Sequence, residues 1–250
     1  MGWTYLTTHV CCQNMKLNAP LIPATLLRRY KRFLADVRLA TGELVTATCP
    51  NTGTMLGLNE PGMQVWLSRS SSPTRKYAHT WHLAEMPGIG LVGIDTSLPN
   101  RIAEEVITAG AIPELAGYAS LRREVRCGSN SRIDLLLEGE GRAPCYVEAK
   151  NVTLIRQSGL AEFPDCATAR GTKHLAEMSE MVRAGHRAVM LYVIQCANPA
   201  RFALTPDLDP VYFNAFRAAR KAGVEALAFT CHVSLDSISL KAQVPVIDPS

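Results

Sequence analysis

Three residues near the middle of the chain have the types and spacing for hydrolytic chemistry: Asp134, Glu148 and Lys150. Asp134 sits in the run Ser-Arg-Ile-Asp-Leu-Leu-Leu, and Glu148 and Lys150 sit in Cys-Tyr-Val-Glu-Ala-Lys-Asn-Val. The polar stretch 138–144 between them, with Gly139 and Gly141, reads as a hairpin with a longer loop. Alternate residues of a strand share a face, so Glu148 and Lys150 point one way and Ala149 the other. If the two runs pair, a carboxylate from each strand and one ammonium meet at a single spot. A hard divalent cation, Mg²⁺ or Mn²⁺, takes one or two carboxylates and keeps several waters. Such a cation polarises a phosphodiester and lowers the pKa of a bound water. The lysine orients that water or neutralises the charge building on phosphorus. The competing reading is a solvated same-face ion pair, worth little. With 22 acids and seven lysines, chance supplies about 0.6 acid-x-Lys triplets. An apolar strand is nevertheless a costly place for unpaired charge, and that context favours a working site.

The elements that must hold these side chains form the second half of the chain. The pattern changes at Leu98-Pro99-Asn100, where Asn100 reads as a helix N-cap. The periodicity predicts a helix over 101–110 and strands over 121–127, 132–137 and 145–151. A long connection follows, then a helix over 170–184, a strand over 187–195, a helix over 210–222 and a strand over 224–233. Gly185 and Gly223 stand where the two later helices should stop. This is an α/β (α+β) arrangement in which three antiparallel strands lead into a crossover. The long connection carries Asp165, Arg170, Lys173 and His174. Asp165 precedes a helix start able to bind anions, and Arg170 and Lys173 add charge; the competing reading is a turn-forming Asp165 and a packing His174.

Before residue 98 the pattern is five short strand-like runs, over 33–39, 44–49, 63–69, 77–83 and 89–94, separated by Gly and Pro. That spacing predicts a five-stranded barrel of the oligonucleotide-binding (OB) type. Arg28-Arg29-Tyr30-Lys31-Arg32 places four cations around one aromatic, a phosphate grip or a solvated basic turn entering the first strand. Pro50-Asn51-Thr52-Gly53 is a polar turn whose backbone donors could hold an anion or simply join two strands. Arg75-Lys76-Tyr77 offers cations beside an aromatic, suited to stacking and phosphate contact. Trp81, with Thr80, reads either as part of that stacking surface or as barrel core, and Trp66, inside an apolar run, reads as core.

Composition bounds the function classes. With 250 residues, 47% hydrophobic and 19% charged, the chain can bury one large core or two modest ones. No apolar run nears the ~18 residues that span a bilayer, so no membrane role is expected. Residues 1–14 lack the basic start and apolar centre of a signal peptide, and Leu6 breaks the myristoylation pattern. Met15 is an alternative start, and the expected location is cytoplasmic. Eight cysteines are scattered without a Cys-x-x-Cys pair, which predicts buried reduced thiols and no zinc site. Residues 1–96 hold nine Lys/Arg against five Asp/Glu, so the whole net charge of +4 belongs to the front of the chain and hints at a polyanion partner there.

The order helix, three strands, helix, strand, with Asp134 on the second strand and Glu148-Ala149-Lys150 on the third, resembles the PD-(D/E)xK nuclease core; Ile133 stands where that motif has proline. The blocks Arg29-Tyr30-Lys31-Arg32-Phe33-Leu34-Ala35-Asp36-Val37, Cys49-Pro50-Asn51-Thr52-Gly53, Arg75-Lys76-Tyr77, Glu124-Val125 and Ser131-Arg132-Ile133-Asp134 go further. With Phe163-Pro164-Asp165, Arg170-Gly171-Thr172-Lys173-His174-Leu175 and Asp209-Pro210 they resemble the sugar fermentation stimulation protein A family, in order from about residue 20 to the C-terminus. The resemblance implies an extension over 1–19, an OB-type nucleic-acid-binding domain over 20–97 and a nuclease-like domain over 98–250, in a cytoplasmic bacterial protein that binds DNA. It implies metal ligation by Asp134, Glu148 and the backbone carbonyl of Ala149, with Lys150 serving the water. Glu124, Asp165, Arg170 and His174 are implied accessories. Arg28, Arg29, Tyr30, Lys31, Arg32, Asn51, Arg75, Lys76 and Tyr77 are the expected DNA contacts. Three functions are open: a Mg²⁺- or Mn²⁺-dependent DNA phosphodiesterase, a non-enzymatic DNA-binding regulator on the same scaffold, or a sugar- or phosphate-metabolite enzyme using the same metal. No recognition helix of a known type is visible, which argues against base-specific reading.

Overall fold

The computed structural model describes residues 15–17, 20–127 and 131–247. The expected extension lies outside them apart from Met15, Lys16 and Leu17, and so do Cys11 and Cys12. Met15–Lys16 (β1) is a short edge strand paired with residues 237–238, so that part of the expected extension belongs to the second domain's sheet.

The barrel is built from Ile22–Tyr30 (β2), Leu34–Leu39 (β3), Leu44–Thr48 (β4), Gln64–Arg69 (β5) and His79–Met86 (β6). These run in the order β4-β3-β2-β5-β6, and a parallel pairing of Ala47 with His79 and Thr48 with Thr80 closes the ring. The five-stranded OB-type barrel is therefore present, with one strand exchanged. The basic segment ending at Tyr30 is the end of a nine-residue strand, not a turn entering the first strand. Pro20 and Pro23 hid it, since proline argues against a central strand. Pro23 is tolerated because it pairs with Trp66 of β5 while the β3 ladder begins only at Ala24. The expected fifth strand, Gly90–Gly93 (β7), pairs with β6 outside the ring and bridges Val92 to Cys196, handing the chain to the second domain. Trp81 is fully buried in the barrel and donates to the Leu83 carbonyl, whereas Trp66 is half-buried against the other domain's core.

The second domain continues with Leu98–Thr108 (α1), Ser120–Cys127 (β8), Ser131–Glu138 (β9), Cys145–Val152 (β10), Leu154–Gln157 (β11), Leu160–Phe163 (β12) and Ala169–Arg183 (α2). It ends with Arg187–Ile194 (β13), Arg201–Leu204 (β14), Pro210–Ala222 (α3), Glu225–Val233 (β15) and Ser237–Val244 (β16). Its mixed sheet runs β1-β16-β15-β13-β10-β9-β8, with β8, β9 and β10 antiparallel and β10 parallel to β13 across the α2 crossover. Helix α1 covers one face, sharing a core of Ile102, Ala103 and Val106 with Val147, Ala149 and Leu191. Helices α2 and α3 cover the other, where Leu175, Met178, Tyr212 and Phe216 join Val152, Met190 and Tyr192. Gly171 sets how closely α2 approaches α3, because a Cβ there would lie 3.0 Å from the Tyr212 ring. Strands β11 and β12 fill what sequence reading leaves as a long connection, and β14, from the stretch after β13, completes their short sheet. Cys49, Cys145, Cys196 and Cys231 are buried free thiols; burial pushes Cys145 and Cys231 up to about 12, out of nucleophile range.

Candidate metal centre and nucleic-acid surface

The β9–β10 ladder pairs Cys145 with Leu137, Tyr146 with Leu136 and Val147 with Leu135, and then stops. The next residues are Asp134 and Glu148. Instead of a further ladder bond, the Ala149 N–H donates to Asp134 Oδ2 at 2.9 Å. The other oxygen, Oδ1, accepts from Asn100 Nδ2 at 2.6 Å. Asn100 is not the cap of α1: the N-cap is Ser97, and Asn100 sits one turn in, where its amide reaches the sheet. Sequence reading missed this role. The signal was present in a polar amide placed among the buried Leu98, Pro99, Ile102 and Ala103.

Glu148 and Lys150 face α2. Lys150 Nζ donates to Glu148 Oε1 at 2.7 Å, and both side chains are nearly buried. His174, 4% exposed on the inner face of α2, shares a hydrogen bond between its Nδ1 and the same Glu148 oxygen, and lies 3.2 Å from Lys150 Nζ. Arg170, one turn earlier, directs its Nε toward His174 Nε2 at a long 3.4 Å. The second oxygen of Glu148, Oε2, is buried without any partner. A buried carboxylate oxygen left unsatisfied is costly, and it fits a cation: the donor set is hard oxygen from two carboxylates, as Mg²⁺ and Mn²⁺ require. Among the described residues no three His, Cys, Asp or Glu side chains stand together as a metal group.

The electrostatics separate the two acids. Burial, reinforced by the Glu148 charge, pushes the Asp134 carboxyl up to about 6. Burial would raise Glu148 too, but the His174 hydrogen bond and the Lys150 ammonium outweigh it and hold that carboxyl below its ordinary value. At neutral pH both are anionic, facing one lysine.

The accessory residues divide. His174 and Arg170 join the cluster. Glu124 lies across from Asp134 in the β8–β9 ladder, between the Arg123–Leu135 and Val125–Ile133 pairs; its side chain is exposed and its backbone is left-handed, φ 51°. Asp165 does not attend a helix N-terminus. Thr168 caps α2 by accepting from Gly171 N, while Asp165 Oδ2 accepts from Met55 N at 2.7 Å and joins the two domains. Lys173 is exposed beside Glu177 at 3.7 Å.

The barrel's candidate DNA contacts also divide. Arg29 Nη2 donates to the carbonyls of Arg32 at 2.6 Å, Asn51 at 2.7 Å and Gly53 at 2.8 Å. The Pro50–Gly53 turn thus presents carbonyls to a cation rather than N–H groups to an anion. Asn51 is 4% exposed, and its Oδ1 accepts from Gly53 N. Arg29 and Asn51 therefore serve the barrel's own loop. Asn51, Gly53, Asn151, Phe163 and Asp165 instead help line a cleft of about 140 Å³ at the domain junction. On the outer face, Arg28 pairs with Asp36 at 2.8 Å and stacks over Tyr30, whose hydroxyl also donates to Asp36. Arg75 donates to Thr80 at 2.9 Å, and Lys76 lies over the Tyr77 ring. Lys31 and Arg32, in the turn joining β2 to β3, and Arg75 and Lys76, in the loop joining β5 to β6, are all exposed, and Arg75 reaches Thr48, the β4 residue paired with Leu34 just after the β2–β3 turn.

Comparison with known proteins agrees with this layout. A family model described as "Sugar fermentation stimulation protein RE domain" matches residues 97–237, and one described as "SfsA N-terminal OB domain" matches residues 27–94. The chain is 56% identical to a sugar fermentation stimulation protein homolog of Brucella anthropi, over 93% of this chain and 100% of that one. It is 55% identical to the homolog of Brucella ovis, over 94% and 98%. Among solved structures it is similar to Pyrococcus furiosus SfsA in complex with Ca²⁺, with TM-score 0.83, 30% identity, and 94% and 98% of the two chains covered. No helix among the described residues is long and apolar enough to cross a membrane.

Proposed function

The chain belongs to the sugar fermentation stimulation protein family, and from that premise we propose that it binds DNA through its barrel and hydrolyses phosphodiesters with a divalent cation held by its second domain. The observation that carries this reading is the buried, partnerless Glu148 Oε2 beside Asp134, on the same strand as a nearly buried Lys150. A buried carboxylate oxygen left without a donor, next to a second carboxylate whose ionised form is disfavoured, is an arrangement a scaffold has no need to maintain. That Pyrococcus furiosus SfsA was solved in complex with Ca²⁺ supports a hard cation here as well.

In this reading Asp134, Glu148 and the Ala149 carbonyl hold Mg²⁺ or Mn²⁺. The cation supplies Lewis acidity toward the phosphate and acidifies water. The protein's own groups do the rest. Lys150 places its ammonium where negative charge grows during attack, a contribution that is large in a site shielded from water. Asn100 and the Ala149 N–H fix the rotation of Asp134, and His174 fixes Glu148 through Oε1, leaving Oε2 without a protein partner. Such outer contacts set ligand orientation and tune affinity. Arg28, Lys31, Arg32, Arg75, Lys76 and Tyr77 present the charge and ring surface for the strand. The expected setting is cytoplasmic.

The test is incubation of the purified chain with single- and double-stranded DNA in Mn²⁺ or in chelator. Scission is expected from wild type in Mn²⁺ only. Asp134→Asn and Lys150→Met should bind DNA as before and cut at least ~100-fold more slowly. Mn²⁺ binding equal in wild type and Asp134→Asn would remove the metal reading and leave a non-enzymatic DNA-binding regulator of sugar catabolism.

A further inference from the structure

The hairpin between β2 and β3 turns through Lys31 and Arg32, both left-handed, with φ of 50° and 66°. Neither is glycine, so each holds a conformation that L-residues avoid. Such strain persists only where the surroundings over-determine it, and it gathers at functional positions. Here the restraints are visible: Arg29 grips the Arg32 carbonyl, and the Phe33 carbonyl accepts from Cys49 N at 2.8 Å. What the turn displays is equally specific. Lys31 and Arg32 are exposed, and Phe33 beside them is 49% exposed, the one aromatic among the large exposed apolar side chains of the described residues. A phenylalanine left half-exposed on a restrained tip beside two cations is poorly suited to solvent. It is well suited to a ring-shaped partner carrying negative charge on both sides.

We propose that Lys31–Phe33 is a stacking finger for an unpaired nucleobase, so that the barrel engages single-stranded or locally unpaired DNA. This rests on the DNA-binding reading above and names its substrate class. Duplex bases are stacked on one another and offer no free face to a side chain at a barrel tip, whereas every unpaired base does. The two cations would meet the phosphates on either side of the stacked base. The neighbouring end of the barrel continues the track: Leu34 pairs with Thr48, Arg75 reaches Thr48 and Thr80, and Lys76 and Tyr77 follow. Because the ring is exposed, its removal spares the fold.

The test is fluorescence anisotropy of the full chain, in chelator to prevent cutting, with a twelve-nucleotide oligothymidine and with a duplex of the same length. Phe33→Ala should weaken single-strand binding by about 5- to 100-fold, leave duplex binding within two-fold and keep the salt slope. Phe33→Trp should restore the affinity. Lys31→Ala with Arg32→Ala should instead flatten the slope by about 1.4 units, the share of two phosphates on a single strand. Wild-type affinity in Phe33→Ala, or an equal loss on duplex, overturns the stacking finger while leaving DNA binding intact. Absence of binding by wild type to either oligonucleotide overturns both readings.

Discussion

Asp134→Asn should stabilise the metal-free protein at neutral pH while abolishing its response to metal. The carboxyl titrates near 6 in the fold, against an ordinary 3.8, chiefly because it is buried and because Glu148 is charged. A shift of about two units corresponds to ~3 kcal/mol by which the ionised form is disfavoured in the folded state. Asparagine removes that penalty. It also loses one of two acceptor contacts, since an amide cannot accept from both the Asn100 amide and the Ala149 N–H; that loss costs ~1 kcal/mol. The net expectation at pH 7 in chelator is a gain of ~2 kcal/mol. The sign follows from the raised folded-state value. As pH falls through 6 the folded wild type takes up a proton that the unfolded chain, titrating near 3.8, does not, so wild type gains stability. By pH 5 about half the penalty is gone, and the advantage of the variant should drop below ~1 kcal/mol. Urea unfolding of both proteins at pH 7 and pH 5 in chelator measures this directly. Millimolar Mn²⁺ should then reverse the order at pH 7, because only wild type gains the linkage stabilisation of a bound ligand. A variant less stable than wild type at pH 7, or a gap that does not narrow at pH 5, would refute the electrostatic account of the site.

Three further expectations follow from the geometry. His174→Ala should weaken Mn²⁺ binding by ~10- to 100-fold in calorimetry, since Glu148 loses the partner that orients it; unchanged affinity would make His174 a packing residue. Arg29→Ala should cost ~3 kcal/mol in urea unfolding, because the carbonyls of Arg32, Asn51 and Gly53 lose their donor together, yet leave the salt slope of DNA binding untouched. Lys31→Gly should raise stability by ~1 kcal/mol, as glycine accepts the left-handed backbone without strain, and Glu124→Gly should do the same; a loss in both would show that their conformations are not strained.

Much of the fold was legible because its signals are local. Asp209 before Pro210 and Gly223 after Ala222 bracket α3 as read from sequence, with Asp209 accepting from Tyr212 N and Gly223 left-handed at φ 103°. The pairing of β9 with β10 followed from two apolar runs around a glycine-bearing turn. What escaped is what depends on distant partners. Strand β2 contains proline and a register break between Leu26 and Arg28, and only its two neighbours make it a strand. The clustering of Asn100 with Asp134 spans 34 residues, and that of Met55 with Asp165 spans 110; spacing cannot reveal either. Arg29 shows the reverse case. A basic run suggests phosphate contact whichever cation is meant, but three nearby carbonyls have already claimed this one.

The bond from Met55 N–H to Asp165 Oδ2 has an evolutionary and an engineering consequence. It closes a continuous chain of contacts from the hairpin tip through Arg29 to the 49–55 loop, and onward to the segment that leads into the helix carrying His174. Residues 49–55 of one lobe and 163–165 of the other are thus two halves of a single joint. A chimera that borrows its barrel from a relative must import both halves together, and natural sequence drift on one side of the joint should be mirrored on the other.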